Sequence, residues 1–432
     1  MEKGDVRIGI IHAYPNAYLI KSLQKADCKI VLVVPKKPTL ECSGIEAVIE
    51  VPLYDASQVE EKIVGYHREK PFDALLPIYE GATAITAKLT EVLGLRGASV
   101  SAAEASRNKY LAYECWSKNG IPVPLTIPIR EPHSGWKDIE AHIGYPAIVK
   151  LADSMNSQGV IKVTSRDSYL RAIERLVKML QRPINLDLQI DRNRLAYGTS
   201  DIKIIAQEYC PGIEVGVDCI IANGNSQIFG VFEKAPATGP YFAESMSIAP
   251  TSLGKNEEEN VSKIAVEAVL ALNHDRISAA HVEIRYTEDG PKVLEAGLRP
   301  GGAYTVAAVE YLTGINTYVE LLNVLLGNNL NAVKPNGKAV LYGGIVIPKS
   351  GVLKRARGLD VFNNLLELLD FQVLNQPGDR VYCLPESAQA HFAYYLVGGR
   401  SRDEVLEKHR LIQKSIQLEI TEFSQKTPVA YS

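Results

Sequence analysis

The chain has 432 residues, 46% hydrophobic and 22% charged, with 47 basic against 50 acidic side chains and a formal net charge of −3. Those proportions are globular; they exclude disorder, a collagen-like repeat or a coiled-coil rod as a description of the whole, and the length allows about three domains. The charge balance favours no polyanion, no apolar run approaches the ~18 residues of a membrane span, and the stretch from Met1 to Pro15 lacks a signal-like apolar core, so a cytoplasmic protein with no nucleic-acid or membrane partner is the expectation.

In chain order, Arg7–His12 reads as a strand, Asn16–Lys25 as a helix, and Lys29–Val34 as a second strand closed by Pro35. Asp55–Arg68 is helical, Asp73–Pro77 a strand and Gly81–Leu93 a helix. Strands alternating with helices predict a small parallel α/β domain, which binds ligands at the carboxyl ends of its strands. Tyr79-Glu80-Gly81 follows one such strand and is a candidate site loop. No GxGxxG follows the first strand, where His12-Ala13-Tyr14-Pro15 stands, so dinucleotide binding lacks its main signal.

Ala102–Asn119 reads as one helix leading into Ile121-Pro122-Val123-Pro124, extended because each proline restricts the residue before it. Tyr145–Lys150 and Val160–Val163 form a hairpin-like pair around the polar loop Ala152–Gly159, and Asp167–Met179 is an amphipathic helix. Residues 181–200 read as a surface insertion. Ile204–Tyr209, Glu214–Ile221 and Gln227–Glu233 look antiparallel, with Asn223-Gly224-Asn225 as a turn. Asn256–Leu272 is a helix, and His281–Tyr286 and Lys292–Ala296 pair around Glu288-Asp289-Gly290. Toward the end, Ala339–Ile347 is strand-like, Val361–Leu369 helical, and Ser401–Ile416 a long helix. The character changes from parallel α/β to α+β.

The cysteines Cys28, Cys42, Cys115, Cys210, Cys219 and Cys383 form no CxxC pair and fit a reducing compartment. The eight histidines show no HxxxH or HExxH spacing, so no zinc centre is expected.

Two carboxylates stand out among apolar neighbours: Glu283 in His281-Val282-Glu283-Ile284-Arg285, and Glu295 in Val293-Leu294-Glu295-Ala296-Gly297. On adjacent antiparallel strands they can face one side, where two ionised carboxylates repel unless a cation lies between them, and oxygen donors suit Mg²⁺. Two ordinary strand acids facing water are the competing reading. The loop Ala152–Gly159, close to Lys150, is either a phosphate cradle or a plain hairpin turn; it is not a Walker A loop, because no GxxxxGK[ST] occurs. Arg299, ahead of Pro300-Gly301-Gly302, either clamps an anion or sits on the surface before a turn.

The conjunction says more than its parts. An Asn108-Lys109 pair, a strand ending at Lys150, a small-residue loop, Gln207–Glu214, then HVEIR and LEAGLRPGG follow in order. That order resembles the ATP-grasp family of carboxylate–amine ligases, and within it the L-amino-acid ligase group that makes dipeptides; Gly351-Val352-Leu353, Gly358-Leu359 and Pro377–Val381 are similar to that group's C-terminal region. The resemblance implies an α/β N-terminal domain (1–100), an α+β ATP-grasp fold (101–310) and a C-terminal α+β extension completing the ligase (311–432).

By the same resemblance, Lys109 and Lys150 would contact the α- and β-phosphates of ATP, and the 153–159 loop, with Ser157 and Gly159, would close over them. Glu208, Tyr209 and Cys210 match the hinge that bonds adenine, and Glu214 the acid that holds the ribose. Glu283 and Glu295 would bind Mg²⁺ or Mn²⁺, and Arg299 would hold the transferring phosphate. Gly297 departs from the asparagine many members carry there as a further metal ligand. Substrate-facing candidates are Glu80, Tyr241, Glu244, Gly301 and Gly302, while His281 reads as a core histidine. The activity implied is ATP-dependent amide formation between a small carboxylic acid and an amine through an acyl-phosphate, with an amino acid as one substrate and a homodimer as the expected assembly. The alternatives are a bicarbonate- or formate-using enzyme of the same fold, without a biotin-carrier Met-Lys-Met segment, and a non-catalytic nucleotide-binding protein, for which Gly297 gives some footing.

Overall fold

The computed structural model describes residues 6–13, 15–38, 44–155, 157–181, 201–236, 241–242, 244–274, 276–384 and 390–423. The insertion expected at 181–200 lies outside them from residue 182 onward.

Strands β1 (Arg7–Ile11), β2 (Lys29–Val34), β3 (Ile45–Glu50) and β4 (Ala74–Leu76) form a parallel sheet in the order β3-β2-β1-β4. Both faces are covered, so β2 is a continuous apolar run. Ile30, Leu32 and Val34 pack in one cluster with Leu19 of helix α1 (Ala17–Gln24) and Leu321, while Val31 and Val33 pack in another with Val59 and Ile63 of α2 (Ala56–Glu69) and Leu89 of α3 (Thr83–Val92). The sequence reading missed β3: it is an edge strand, half-buried from Ile45 to Ile49 and exposed at Glu50, and Glu46 and Glu50 interrupt its apolar pattern.

The helix expected over Ala102–Asn119 is two helices, α4 (Val100–Arg107) and α5 (Lys109–Lys118). Asn108 between them is extended and caps α5, its side chain accepting from the amides of Tyr110 and Leu111. The break leaves Lys109 as the first residue of α5, its amide bonded to the Ala152 carbonyl at 2.8 Å.

An antiparallel sheet follows in the order β5 (Thr126–Pro128), β8 (Ile204–Glu208), β6 (Ala147–Leu151), β7 (Val160–Val163). It packs on α7 (Arg166–Gln181), which comes after the short α6 (Trp136–His142). The antiparallel grouping of 204–209 with 214–221 is thereby corrected: β8 belongs to this sheet, whereas β9 (Ile213–Ala222) opens another. Pro211-Gly212 separates them, and Gly212 has φ +126 with a hypothetical Cβ only 2.0 Å from the Tyr286 carbonyl oxygen.

The central sheet has eight antiparallel strands. With β10 (Asn225–Lys234), β11 (Met246–Ala249), β12 (Ser278–Thr287), β13 (Gly290–Gly297), β14 (Ala339–Val346), β16 (Leu368–Val373) and β18 (His391–Gly399), its order is β13-β12-β9-β10-β11-β14-β18-β16. One face of β9, β12 and β13 supplies Val215, Val217, Val282, Ile284 and Val293, packed with Val261, Ala265 and Val269 of the helix Lys255–Asn273 and with Trp116 of α5. Side chains alternate along a strand, so the other face carries the polar residues. Farther along, β15 (Gly351–Arg357) pairs with β17 (Arg380–Val381) and β19 (Gln417–Thr421), and the helix Arg402–Ser415 covers this end of the molecule. The helix expected at Val361–Leu369 is instead a 3-10 turn, Leu359–Asn364, running into β16. Phe362 is buried and Leu365 and Leu368 pack against the C-terminal core, but Leu366 is 82% exposed and Leu369 38%, so the leucines share no single buried helical face. Among the described residues no helix is long and apolar enough to cross a membrane.

Asn108→Ala removes two capping bonds at the α4–α5 break. It is expected to destabilise the chain by about 1 kcal/mol, read as a lower denaturation midpoint.

Candidate active site

The polar face of the central sheet has a simple local origin. Period-two alternation places Glu214, Gly216 and Asp218 of β9, His281, Glu283 and Arg285 of β12, and Glu295 and Gly297 of β13 on one side. Glu283 and Glu295 are register partners, and Gly216 stands opposite Glu283 on its other flank.

Each of the three glutamates is paired with a cation. Lys109 Nζ lies 3.2 Å from Glu295 Oε2 and donates to the Ser154 carbonyl. Lys234 Nζ lies 2.5 Å from Glu283 Oε1, 2.6 Å from Glu244 Oε1 and 3.6 Å from Glu214 Oε1. Arg285 holds the other oxygen of Glu214. Burial disfavours the charged form of Glu283, but Lys234, His281 and Lys109 outweigh it and depress the carboxyl below the usual range. In Glu214 burial wins, with the Glu283 and Glu244 charges adding to it, and its pKa is raised.

Lys150, at the end of β6, donates to Gln207 Oε1 at 2.9 Å, and Gln207 Nε2 is fixed in turn by Thr126 Oγ1 at 2.9 Å. Burial, with the Lys109 charge, pulls the Lys150 ammonium down to about 8 against the pull of Glu295, Glu283 and Glu214. The β6–β7 loop starts beside it; Asn156 is outside the described residues. Ser157 and Gly159 take left-handed backbone, φ 57 and 68, and Gly159 backs onto Leu151 and Leu176. At the β8 end, Glu208 binds the Leu125 amide at 3.1 Å and Lys292 Nζ at 3.1 Å. Lys162 Nζ lies 3.6 Å from the ring centroid of Tyr209, and the Cys210 thiol is pushed up by burial.

The first domain enters through Glu80, in the 3-10 turn Glu80–Ala82 after β4. Its carboxylate, 4% exposed, takes Arg299 Nε at 2.5 Å on Oε2 and an Arg107 guanidinium nitrogen at 3.0 Å on Oε1. Burial acts to raise its pKa, but the two guanidiniums hold it at about 2. Arg107 reaches on to the Asp153 carbonyl at 3.3 Å, which ties the β6–β7 loop to the same pair. Gly297 makes room for this arrangement: a Cβ there would stand 2.5 Å from Glu80 Oε2. The Arg299 loop is fixed by the Gly301 amide, 2.8 Å from Asp218 Oδ1, while Asp218 Oδ2 lies 3.0 Å from His281 Nδ1.

Lys109, Lys150, Glu214, Glu283, Glu295, Arg299 and Glu80 are thus gathered by direct contact or through-space charge. The segment expected to line a substrate pocket is only partly described, since Gly239, Pro240 and Ala243 fall outside. Glu244 joins Lys234, whereas the Tyr241 hydroxyl is 2.5 Å from an Arg175 guanidinium nitrogen and its backbone bridges Ile161, against the β7–α7 layer. Gly302 is exposed beside Arg299.

Sequence reasoning missed Lys234, Asp218, Arg107 and Gln207. Period-two spacing from Glu214 would have found Asp218; the other three are joined to their partners only by tertiary pairing. Among the described residues no three His, Cys, Asp or Glu are arranged to hold a metal ion. The facing oxygens of Glu283 and Glu295 nevertheless suit a hard cation that takes its remaining oxygens from a ligand.

Residues 143–306 match the sequence model of the ATP-grasp domain. Alanine–anticapsin ligase of Bacillus subtilis strain 168 is 25% identical over 281 residues, covering 62% of this chain and 57% of its own length. Human carnosine synthase 1 is 23% identical over 263 residues, 59% of this chain and 31% of its own. These matches therefore span about half or less of the relatives' length. The L-amino acid ligase from Bacillus licheniformis superposes with a TM-score of 0.81 at 21% identity, covering 97% of this chain and 100% of that one. The fold of this chain is the ATP-grasp fold, with an N-terminal parallel-sheet domain.

Gly297→Asn is expected to drive into Glu80 and loosen its hold on Arg299, destabilising by about 1–3 kcal/mol in a denaturation midpoint. Lys150 loses its charge as pH rises through about 8. The affinity for tripolyphosphate, measured calorimetrically, should therefore fall across that range, and the fall should be absent in Lys150→Gln.

Proposed function

We propose that this ATP-grasp chain is an ATP-dependent ligase that joins a small carboxylic acid to an amine through an acyl-phosphate, with an amino acid as one substrate. The observation that carries the reading is the gathering of Lys109, Lys150, Glu283, Glu295 and Arg299 around the polar face of β12 and β13, supplied by α5, β6, β12, β13 and the loop after β13. The likeness to ligases that join amino acids supports it.

Phosphoryl transfer needs in-line positioning and compensation of phosphate charge rather than a protein nucleophile. Lys109 and Lys150 face the nucleotide phosphates, the segment Glu208–Cys210 takes adenine, and Glu214 takes the ribose. Glu283 and Glu295 would hold Mg²⁺ or Mn²⁺, whose charge would neutralise phosphate oxygens. The substrate carboxylate oxygen attacks the γ-phosphorus and ADP leaves. The amine nitrogen then attacks the acyl carbon, inorganic phosphate departs with the former carboxylate oxygen, and the amine gives up a proton. Arg299, oriented by Glu80, holds the transferring phosphate in both steps. The β6–β7 loop excludes water, which would otherwise hydrolyse the acyl-phosphate.

The absence of a side chain at position 297 is matched by a neighbour that needs the room. The space a side chain would fill there is taken by Glu80, so the glycine accompanies an additional buried carboxylate beside Arg299.

The test is ADP and phosphate release from Mg·ATP across pairs of common amino acids, with product masses read in parallel. Release that depends on particular pairs, with a product lighter by one water than their sum, is the expected result; ATP turnover independent of any carboxylate and amine would overturn the reading. Lys150→Ala, Glu295→Ala and Arg299→Ala should each lower turnover by about 100-fold or more at unchanged fold, judged by circular dichroism.

A further inference from the structure

Lys234 is 8% exposed at the end of β10, yet its ammonium touches three carboxylates from three places in the chain. Glu283 comes from β12, Glu214 from β9, and Glu244 stands just ahead of β11. The three acids are the ones read above as metal ligand, ribose acceptor and substrate-facing group. An ammonium this deeply buried has given up most of its water, and among the described residues the carboxylates stand in for that solvation. The contact with Glu283 is on Oε1 at 2.5 Å. A Mg²⁺ ion binds carboxylate oxygen at about 2.0–2.1 Å, so an ion on Glu283 would stand within a few ångströms of the lysine charge. At that separation two positive charges in a poorly hydrated pocket repel strongly.

We propose that Lys234 is a resident counter-cation of the metal site: in the ligand-free chain it holds Glu283 together with Glu214 and Glu244, and a divalent ion gains Glu283 only as the lysine yields it. The inference rests on reading Glu283 and Glu295 as the metal carboxylates. It assigns Lys234 a positioning role that nothing in the overall resemblance requires. Metal alone binds poorly, because both of its carboxylates are already neutralised, Glu295 by Lys109 and Glu283 by Lys234. Metal arriving with a polyphosphate brings oxygens and negative charge that repay the displacement, so the ion is taken up as a complex and not ahead of the nucleotide. Glu244 and Glu214 keep the lysine paired once it leaves Glu283, which lets the exchange proceed without stranding a bare ammonium.

The experiment is Mn²⁺ binding to the full chain without nucleotide, followed by the electron paramagnetic resonance signal of free Mn²⁺. Lys234→Gln, which removes the charge, is expected to tighten nucleotide-free Mn²⁺ binding by about tenfold or more, whereas Lys234→Arg, which keeps it, should leave the affinity near wild type. Lys234→Met carries the same expectation as the glutamine variant should the latter fail to fold. A folded charge-removing variant that binds Mn²⁺ no more tightly than wild type would overturn the assignment. Glu295→Gln separates the two layers of argument. If it abolishes Mn²⁺ binding in the presence of ADP while the lysine variants change nothing, the metal reading stands and the role of Lys234 falls. If it leaves that binding intact, the metal reading itself falls and the inference goes with it.

Discussion

The structure turns on one requirement: each glutamate taken into the interior around β9, β12 and β13 must meet a cation before any ligand arrives. Glu80 meets Arg107 and Arg299, Glu214 meets Arg285, Glu283 meets Lys234, and Glu295 meets Lys109. A lone buried ion costs several kcal/mol in lost hydration, so deleting one member of such a pair is worse than replacing both. The partners are remote in sequence, as Glu80 and Arg299 illustrate, and so the pairs also pin the N-terminal sheet and the helical segment before α5 onto the central sheet. Charge compensation is here a means of assembly.

That requirement explains two glycines. Gly216 leaves the space occupied by the His281 ring, whose nearest carbon would stand 2.6 Å from a Cβ there, and the ring in turn braces Asp218. Gly297 leaves the space occupied by the Glu80 carboxylate. On a sheet face crowded with charged side chains, the residue with none is what lets a group from another element enter. The opposite face of the same strands needs no such accommodation, because Val215, Val282 and Val293 pack there against the helix Lys255–Asn273 in the ordinary way.

Much of this was readable from the residues in order. The alternation in HVEIR and the short turn at Glu288-Asp289-Gly290 were enough to set Glu283 beside Glu295, and register pairing bears that out. The Tyr79-Glu80-Gly81 loop was legible because parallel strands present their carboxyl ends to ligands. What was not legible depends on pairing between distant elements. Nothing local to Lys234 distinguishes it from a strand-end lysine until β12 and β9 bring Glu283 and Glu214 to it. The break at Asn108 left a trace, since asparagine is a good helix cap, but the helical pattern on both sides hid it. At 361–369 the leucine spacing imitates a helix face; the segment is instead a 3-10 turn through Asn364 that enters the mostly exposed edge strand β16 at Leu368, where it pairs with β18.

The order of strands in the central sheet has a consequence for how the chain comes into being. Strand β11 has β10 on one side and β14 on the other, and β14 is followed outward by β18. A ribosome making this chain releases β9 to β13 well before Ala339–Val346 and His391–Gly399, so the hydrogen-bonding edge of β11 stands open in the interval. Open edges recruit other chains. A fragment ended near residue 310 keeps its complement of lysines and carboxylates but retains that edge permanently. The segment up to residue 310 therefore leaves the β11 edge without the β14 pairing it has in the full chain.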